Sequence, residues 1–583
     1  MSKVSEPTPT HPGILTRLAD FPSITEALDY AARGATGLNF YSGRGELLEV
    51  LPYALLREQA MTLARRLLAI GLRPGERVGL LAESDGDFAR AFYACQYAGL
   101  VPAPLPLPVA FGGKEGYLKF LRRMIQSAEV HAVFCPESLR AWLGEAVAGI
   151  ALKFSGTLAA LHNAPLAPPG ALAPRDPDSL AYLQFSSGST RFPVGVAVTQ
   201  RALMANAHGM AMHGLHVTAQ DRATTWLPFY HDMGLVGFFL MPMACQSALD
   251  ILPTREFARR PLLWLQLISR NRSTISFSPS FGYEVCTKRA KTASTDGIDL
   301  SSWRHAGIGG DMIRPNVLTR FAERFAANGF PAKAFTPCYG MAEATLALTF
   351  TPEGQGAWED SVDGTILEQE QRAVPADAES ERSRGFIVCG KMLPLHEIEI
   401  RDETGALLPE REVGRIFVRG PSLMLGYFRA AEETARVLSP EGWLDTGDLG
   451  YLLEGQVVIT GRAKDLVIVN GRNLWPQDLE WTAEAEIPNL RSGDVAVFSV
   501  DNGEDEEVVA LVTCRVTDPA GREALVDELG RFFRRRHGLE VRVVPVPPHS
   551  LPQTSSGKLS RSRARSMYLA GAFRFNPSVE AAE

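Results

Sequence analysis

Residues 183–196 read LQFSSGSTRFPVGV, and this stretch determines how the rest of the chain is interpreted. An apolar, strand-like run leads into a short loop of hydroxyl residues and glycine, and a second strand-like run follows. Glycine accepts the left-handed conformations in which backbone N–H groups converge on an anion. We therefore predict a phosphate-binding loop made of Ser186, Ser187, Gly188, Ser189 and Thr190, in which the Thr190 hydroxyl is also a candidate magnesium ligand. The alternative is a solvated linker, and the loop lacks the Gly-Lys-Ser/Thr ending of a Walker motif.

Composition narrows the class of protein. The chain has 583 residues, of which 45% are hydrophobic and 21% charged, as in globular proteins of several structural units. Its net charge of −7 argues against nucleic acid as a partner. We expect no transmembrane segment, because the apolar run 233–249 contains glycine and proline and is shorter than the ~20 residues of a bilayer span. A buried helix is the better interpretation of this run.

The N-terminus and the cysteines of the chain point to a reducing compartment. Residues 1–12 lack the apolar centre of a signal peptide. The seven cysteines are scattered without a C-x-x-C pair, which argues against a zinc site or a disulfide framework. A cytoplasmic location is the expectation, and the alanine- and arginine-rich composition is typical of a high-GC bacterium.

The patterning predicts an α/β fold. Residues 1–19 are rich in proline and threonine and are expected to be loose. From Ser23 onward, a helix-capping pattern and alternating helical and strand-like periods follow, as expected for a parallel sheet. The predicted elements are a helix over 53–70, a strand over 78–82, a helix over 87–98 and an extended run over 101–108.

The second half changes character. Residues 351–384 are polar and acidic and indicate an insertion or a long surface loop. Short alternating strands with turns then predict a β-rich subdomain over 385–463. A compact α+β domain is expected over 464–583, and its loop 551–558 (LPQTSSGK) delivers a single lysine.

Other polar clusters are weaker signals when taken alone. His231, in WLPFYHDMGL, lines a pocket or is a structural histidine. A glycine-rich turn covers Gly309, Gly310 and Asp311. Tyr339 precedes Glu343 in YGMAE, so an aromatic ring and a carboxylate lie close together. Asp448 ends a Thr-Gly turn that suits ribose hydroxyls or is simply solvated.

The order of these stretches resembles the adenylate-forming superfamily of acyl-CoA synthetases, luciferases and adenylation domains, over about residues 20–570. Within it the chain is most similar to fatty acyl-AMP ligases, through 183–196, 226–237, 339–346 (YGMAEATL) and 461–480 (GRAKDLVIVNGRNLWPQDLE). The resemblance implies a large N-terminal domain of two doubly wound sheets with a β-rich subdomain, and a small mobile α+β C-terminal domain. It also implies that 351–384 lies at an insertion that acyl-CoA synthetases lack.

The same resemblance implies a two-step reaction with ATP and Mg²⁺. A fatty acid attacks the α-phosphate and gives acyl-AMP and pyrophosphate. The thiol of the phosphopantetheine arm of an acyl carrier protein then displaces AMP. Lys558 supplies the cation for the first step, His231 lies near the substrate carboxylate, and Lys464 is the hinge of the C-terminal domain.

The resemblance assigns the nucleotide site as well. The loop from Ser186 to Thr190 holds the β- and γ-phosphates, and Thr190 and Glu343 hold magnesium. Tyr339 stacks on adenine, Asp448 accepts the ribose hydroxyls, and Arg462 contacts ribose or phosphate. The remaining residues assigned to the nucleotide border are Gly309, Gly310, Asp311, Gly340, Met341 and Ala342.

The chain departs from the superfamily pattern at several positions. Arg191 and Val194 stand where glycine and lysine are common in the phosphate loop, Ala342 replaces a common threonine, and Ser280 stands where this branch has asparagine. Three other functions stay open: a fatty acyl-CoA synthetase, an enzyme for a short, aryl or unusual acid, and a catalytically silent binding module. Retention of Lys558, Glu343 and Asp448 argues against the last.

Two further patterns have a functional and a structural interpretation. The basic cluster of Arg531 and residues 534–536 is a carrier-docking surface or a solvated helix face. Phe229, Phe277 and Phe281 line an acyl tunnel or belong to the core. Cys338 is expected to pack rather than react.

Overall fold

A computed structural model describes residues 6–108, 113–172, 176–185, 194–380, 382–469, 472–501, 506–516, 518–554 and 558–573. The strands, in chain order, are β1 (Gly37–Tyr41), β2 (Leu47–Pro52), β3 (Arg77–Leu81), β4 (Val101–Leu105), β5 (Val130–Phe134), β6 (Phe154–Gly156), β7 (Leu180–Phe185), β8 (Gly195–Thr199), β9 (Arg222–Thr225), β10 (Ala248–Ile251), β11 (Ile275–Ser278), β12 (His305–Ile308), β13 (Phe335–Gly340), β14 (Ala347–Phe350), β15 (Glu359–Asp363), β16 (Ser383–Ile387), β17 (Lys391–Met392), β18 (Glu397–Arg401), β19 (Gly414–Arg419), β20 (Gly426–Tyr427), β21 (Leu444–Leu453), β22 (Gln456–Arg462), β23 (Val467–Val469), β24 (Arg472–Leu474), β25 (Val495–Asp501), β26 (Glu506–Thr513) and β27 (Val541–Val546).

The α-helices are α1 (Ile24–Ala31), α2 (Tyr53–Ala69), α3 (Gly86–Tyr97), α4 (Lys114–Ser127), α5 (Arg140–Ala146), α6 (Gln200–Gly209), α7 (Met241–Ala244), α8 (Thr254–Arg259), α9 (Leu262–Asn271), α10 (Ser280–Ala290), α11 (Pro315–Phe325), α12 (Gly364–Glu370), α13 (Ala431–Val437), α14 (Pro476–Glu486), α15 (Pro519–His537) and α16 (Arg561–Leu569). Two segments are π-helical, Met210–Gly214 and Met233–Leu240. The second of these contains the start of the apolar run for which a buried helix was predicted.

Two sheets with parallel centres build the N-terminal part. The large sheet has the order β17-β14-β13-β12-β11-β9-β10-β1-β2, and its central pairs from β13 to β1 are parallel. A second sheet, β4-β3-β5-β6, is parallel throughout. Strand β4 is buried along its whole length, as parallel strands covered on both faces are. The predicted α/β class is confirmed, and α2, α3, β3 and β4 form where the periodicity placed them.

The described part of the N-terminus is not loose, contrary to the prediction. The backbone N–H of Thr8 donates to Asn39 Oδ1 at 2.8 Å, and the Arg222 guanidinium donates to the Thr8 carbonyl at 2.7 Å. Ala19 is 1% exposed. The segment lacks regular structure, but it completes a buried polar network with β1 and β9 of the large sheet. Local composition gives no signal for such a contact.

The β-rich region contains the antiparallel sheet β18-β19-β21-β22. The interpretation of 351–384 as a long surface loop is wrong, because β15 pairs with β16 and α12 lies between them. Glu368, on α12, pairs with Arg472 of β24 at 2.7 Å. The region therefore carries its own structure and contacts the chain beyond residue 464.

Residues beyond 472 have their own hydrophobic cores. The sheet β25-β26-β27 separates a cluster with α14 and α15 on one face from a cluster with α16 on the other. Phe533 belongs to the first cluster and Phe498 to the second. A sheet with its own hydrophobic core on each face is typical of a separate domain.

Two expectations from composition concern the whole chain. Among the helices of the described ranges, none combines the length and the hydrophobicity that crossing a bilayer requires. All seven cysteines are free, and Cys338 is only partly buried whereas the others are buried.

Candidate active site

The predicted phosphate-binding loop is preceded in the chain by β7 and followed by β8. Strands β7 and β8 are antiparallel, and Phe185 pairs with Gly195 across the base of the loop. Residues 186–193, and with them the predicted ligands Ser186, Ser187, Gly188, Ser189 and Thr190, lie outside the described residues. The Gln184 amide donates to the Tyr230 carbonyl at 2.6 Å. The hairpin is therefore attached to the WLPFYHDMG segment.

An apolar cavity lies beside this segment. Its lining residues are Met210, Leu215, Asp232, Met233, Gly237, Phe238, Met241, Ile275, Phe277, Gly310, Cys338, Tyr339, Gly340, Leu346, Ala347 and Phe350. Of the three phenylalanines proposed for an acyl tunnel, Phe277 lines this cavity. Phe229 packs instead in a fully buried ring cluster with Phe88 and Phe239, and Phe281 is 36% exposed.

Two phenyl rings in the cavity wall each pack directly against a glycine, where any side chain would collide with the ring. The rings of Phe277 and Phe350 lie 6.3 Å apart. A Cβ atom at Gly307 would lie 2.1 Å from the Phe277 ring, and one at Gly214 would lie 2.6 Å from the Phe350 ring. The lining of the cavity is that of a site for an apolar ligand.

The His231-Asp232 pair stands at the start of the π-helix Met233–Leu240. Asp232 Oδ1 accepts a 2.8 Å hydrogen bond from the Met233 N–H, and the residue lines the cavity. The His231 ring packs against Tyr230, with ring centroids 4.9 Å apart. Burial raises the pKa of Asp232, and the Lys558 ammonium acts against this shift. The sequence indicates a pocket beside this His-Asp pair and a role for His231, and it is Asp232 that lines the cavity.

Lys558 reaches the same place from the C-terminal domain. Its ammonium donates to the carbonyl of Gly310, which has a left-handed φ of +78°. Burial lowers the pKa of Lys558, while Asp311 and Asp232 raise it. Asp311 Oδ1 in turn accepts from the Ser280 N–H and hydroxyl, each at 3.3 Å. The predicted Gly309–Asp311 turn is thus in contact with the predicted lysine.

Tyr339, Asp448 and Arg462 form one continuous cluster. The Tyr339 hydroxyl donates to Asp448 Oδ2 at 2.7 Å, and Arg462 Nε lies 3.2 Å from Asp448 Oδ1. Asp448 and Arg462 are opposite each other in the β21–β22 ladder. Gly340 is required next to this cluster, because a Cβ there would lie 1.9 Å from the Leu346 carbonyl oxygen. Met341 follows and donates its N–H to that carbonyl at 2.8 Å.

Glu343 and Lys464 occupy contrasting surroundings. Glu343 is 7% exposed, and its Oε1 accepts from the Tyr427 hydroxyl at 2.9 Å. Burial raises the pKa of this carboxyl group. Ala342, beside it, is buried. Lys464 is exposed, in the 3₁₀ turn Ala463–Asp465 between β22 and β23.

The donor set suits a magnesium ion that is bound together with a nucleotide. Among the described residues, no group of three or more His, Cys, Asp or Glu side chains is arranged to hold a metal. Mg²⁺ needs only one or two protein carboxylates when substrate phosphates supply the other oxygens. The buried oxygen acceptor Glu343 therefore fits such an ion.

Comparison with known proteins agrees with this geometry. The AMP-binding enzyme family matches residues 46–428. A Caulobacter vibrioides protein named as an acyl-CoA synthetase is 54% identical, over 97% of this chain and 98% of its own. The Moorena producens medium-chain-fatty-acid–[acyl-carrier-protein] ligase JamA is 32% identical, over 95% and 96%.

A solved structure from a study of fatty acyl-adenylate ligases from E. coli and L. pneumophila superimposes with a TM-score of 0.91. It is 43% identical and covers 96% of this chain and 100% of its own. The fold, the matched range and these relatives lead to the same assignment. The chain is a member of the AMP-binding enzyme family, within the adenylate-forming superfamily, and its expected resemblance to the fatty acyl-AMP ligase branch is confirmed.

Proposed function

We propose that the protein uses ATP to activate a fatty acid as acyl-AMP and then transfers the acyl group to the phosphopantetheine thiol of an acyl carrier protein. The observation that carries this proposal is the position of Lys558. Its ammonium lies at Gly310, which borders the apolar cavity together with Asp232 and Tyr339. This position supports the proposal, because an acyl carboxylate in the cavity and a nucleotide bound near Tyr339 would meet beside this cation.

In the first step an oxygen of the carboxylate bonds to the α-phosphorus of ATP, and the bond from that phosphorus to pyrophosphate breaks. Negative charge builds up on the α-phosphate oxygens in the transition state, and a preoriented cation stabilises it. Lys558 supplies this charge as a compact ammonium on a flexible stem. The apolar cavity holds the alkyl chain and excludes water from the reacting carboxylate.

The nucleotide contacts follow from the cluster at Asp448. The Tyr339 ring offers a face to adenine, the Asp448 carboxylate accepts from ribose hydroxyls, and Arg462 neutralises the phosphates or contacts the ribose. The hydroxyls of the 186–190 loop bind the β- and γ-phosphates. Thr190 and Glu343 would hold Mg²⁺, which neutralises phosphate charge when bound.

In the second step the carrier thiol attacks the acyl carbonyl carbon, and the bond to AMP breaks. Lys464 is the exposed residue of a turn between the two parts of the chain, and we propose that the C-terminal domain turns about it between the steps. JamA, by name a ligase that uses an acyl carrier protein, supports the carrier as acceptor. The Caulobacter relative, by name an acyl-CoA synthetase, favours coenzyme A as the second candidate.

The test is a product assay by mass spectrometry. Purified protein receives ATP, Mg²⁺ and a panel of carboxylic acids of increasing length, with either coenzyme A or a phosphopantetheinylated carrier protein. We expect acyl-AMP with fatty acids and transfer of the acyl group to the carrier. Rapid formation of acyl-CoA would show that coenzyme A is the acceptor and that the protein is a fatty acyl-CoA synthetase. Absence of an adenylate with every acid would overturn the proposed activity.

A further inference from the structure

One short loop contacts the C-terminal domain at two separate places. It follows β12 and runs over residues 309–314. The Gly310 carbonyl in this loop accepts from Lys558. Four residues later, the Arg314 side chain makes the second contact, with α14 of the C-terminal domain. The two contacts involve separate parts of the C-terminal domain, residues 481–492 and Lys558.

Arg314 makes several contacts across the boundary. Its Nη1 donates to Ser492 Oγ at 2.8 Å, and its guanidinium lies 4.9 Å from the centre of the Trp481 ring. Nη1 is also 3.9 Å from Glu484 Oε2 and 3.9 Å from Glu284 Oε2 on α10 of the N-terminal part. One cation is therefore shared between a carboxylate of each domain and an aromatic ring.

The burial of these groups makes the contact energetically relevant. The side chains of Arg314 and Glu484 are 24% and 7% exposed, so solvent screens their attraction less than at an open surface. Glu484 Oε2 makes no hydrogen bond to any residue in the described part of the chain. Removal of Arg314 would leave this buried carboxylate oxygen without its nearby cation, which is costly.

Helix α14 is also joined to the segment that carries Lys558. Glu480 accepts two hydrogen bonds from Arg561, at 2.8 and 2.6 Å. Arg561 also donates to Asp465, in the turn that contains Lys464, at 3.0 Å. Glu480 and Arg561 are 4% and 19% exposed. This bidentate pair, whose arginine lies three residues beyond Lys558 and whose carboxylate is buried, fixes the lysine segment relative to α14.

These contacts close a ring. It runs from Arg314 to Trp481 and Glu484 on α14, through Glu480 and Arg561 to Lys558, and back to Gly310 in the loop of Arg314. Small displacements of a catalytic cation reduce its effect strongly, and remote contacts that fix geometry therefore affect rate.

We propose that Arg314 is a positioning residue, which docks α14 on the N-terminal domain so that Lys558 is held at Gly310 during adenylate formation. The inference rests on the proposed function, in which Lys558 acts on the α-phosphate. The Arg314 guanidinium has donors only and cannot cap the N-terminus of α11.

The experiment compares Arg314→Ala and Arg314→Lys with wild type in pyrophosphate exchange. We expect kcat to fall about tenfold or more in Arg314→Ala, while KM for ATP changes less than about threefold, because geometry and not binding is lost. Lysine keeps the charge but not the planar stacking on Trp481, so Arg314→Lys should recover activity in part. Trp481→Leu tests the same contact from the other side, and Arg320→Ala, on the exposed face of α11, is the control.

Two readouts separate positioning from a loss of structure. In a Lys558→Ala background, Arg314→Ala should cause no further loss of adenylation, since both changes remove the same effect. Transfer from supplied acyl-AMP to the thiol should be retained, because that step does not use the Lys558 contact. An additive loss, or equal losses in both steps with a lowered melting temperature, would show a structural role and overturn the inference.

The result for wild type distinguishes the inference from the proposed function. If wild type makes no adenylate with any acid, the proposed function fails and the inference fails with it. If wild type is active and Arg314→Ala turns over at the wild-type rate, only the role of Arg314 is refuted.

Discussion

Tyr339 donates a 2.7 Å hydrogen bond to Asp448, a residue 109 positions further along the chain. The bond joins the end of a strand in the large sheet to the β-rich sheet. It leaves Asp448 Oδ1 facing Arg462 at 3.2 Å. The carboxylate is therefore oriented by two partners, and under the proposed function this lowers the cost of ordering it when a nucleotide binds.

Replacement of Tyr339 by phenylalanine tests this orientation. The ring remains for stacking, but the hydrogen bond to a charged acceptor is lost, and such bonds contribute ~1.5–3 kcal/mol. We expect ATP binding, measured by calorimetry, to weaken about tenfold, since ~1.4 kcal/mol corresponds to that factor. Unchanged affinity in Tyr339→Phe would show that the bond does not prepare the site. Tyr339→Ala should lose more, because the stacking face is removed as well.

Asp448→Asn should weaken ATP binding more than a change at the nearby turn. The substitution keeps the shape but removes the charge that pairs with Arg462 and that we expect to accept ribose hydroxyls. We expect a loss of about 10- to 100-fold in affinity, as for charge-assisted hydrogen bonds. Asp445→Asn is the matched control, because Asp445 pairs with the half-exposed Arg415. Equal effects of both variants would contradict the assignment.

Lys558→Ala should nearly abolish adenylate formation. The loss of one oriented charge at the transition state typically costs about 10²- to 10³-fold in kcat. ATP binding should change little, because the lysine acts mainly on the charge that develops during reaction. The measurements are pyrophosphate exchange and calorimetric binding of ATP. Retained exchange would refute the role of Lys558, and Lys391→Ala, at an exposed strand position, is the control.

A larger side chain at Gly237 should shorten the acids that the enzyme accepts. A Cβ at this position would lie 3.1 Å from Leu346 Cδ2, and both residues line the cavity. We expect Gly237→Val to lose activity with the longest acids first and to keep it with short ones, in a chain-length series read by mass spectrometry. Gly144→Val is the control, because a Cβ at Gly144 meets nothing within 4 Å. A uniform loss across the series would contradict the assignment of the cavity to the alkyl chain.

The buried His305, on β12, is expected to make the stability of the folded protein decrease in acid. Burial, with help from the Arg304 guanidinium, lowers the pKa of His305 from 6.5 to about 4. The neutral form is favoured in the folded state, so the unfolded chain binds the proton first as the pH falls below 6.5. The stability that this group contributes is present above pH 6.5 and is lost progressively toward pH 4, at about 1.4 kcal/mol per pH unit.

In His305→Asn the loss of stability from pH 7 to pH 5 should be smaller than in wild type by about 2 kcal/mol. The measurement is urea-induced unfolding of the two proteins at pH 7, 6 and 5, compared as differences. Parallel pH dependences of the variant and wild type would contradict the burial of a neutral imidazole at this position.

Local patterns are sufficient for the elements and for much of the chemistry. The period of apolar residues predicts α2, α3, β3 and β4, because each burial pattern is decided within one element. The hairpin strands on either side of residues 186–193 are visible in the same way. The roles expected of Tyr339, Asp448 and Lys558 follow from the order of the motifs and the family resemblance, because each motif alone leaves a structural interpretation open.

Pairings between distant residues cannot be predicted in this way. The sequence does not distinguish Asp232 from His231 as the residue that lines the cavity, because that depends on how a π-helical segment packs. It contains no local signal for the anchoring of Thr8, for the structure of 359–387 or for the contact of Arg314 with Trp481.

By itself the sequence determined the α/β class, the family and the candidate groups, since these depend on residue type, order and short-range periodicity. Only the tertiary structure decided that Lys558 meets Gly310, that Tyr339 orients Asp448 and that α14 joins Arg314 to the lysine segment. Each of these contacts links positions that are far apart in the chain. They form because folding buries complementary groups from separate elements against one another, and no local pattern specifies which groups meet.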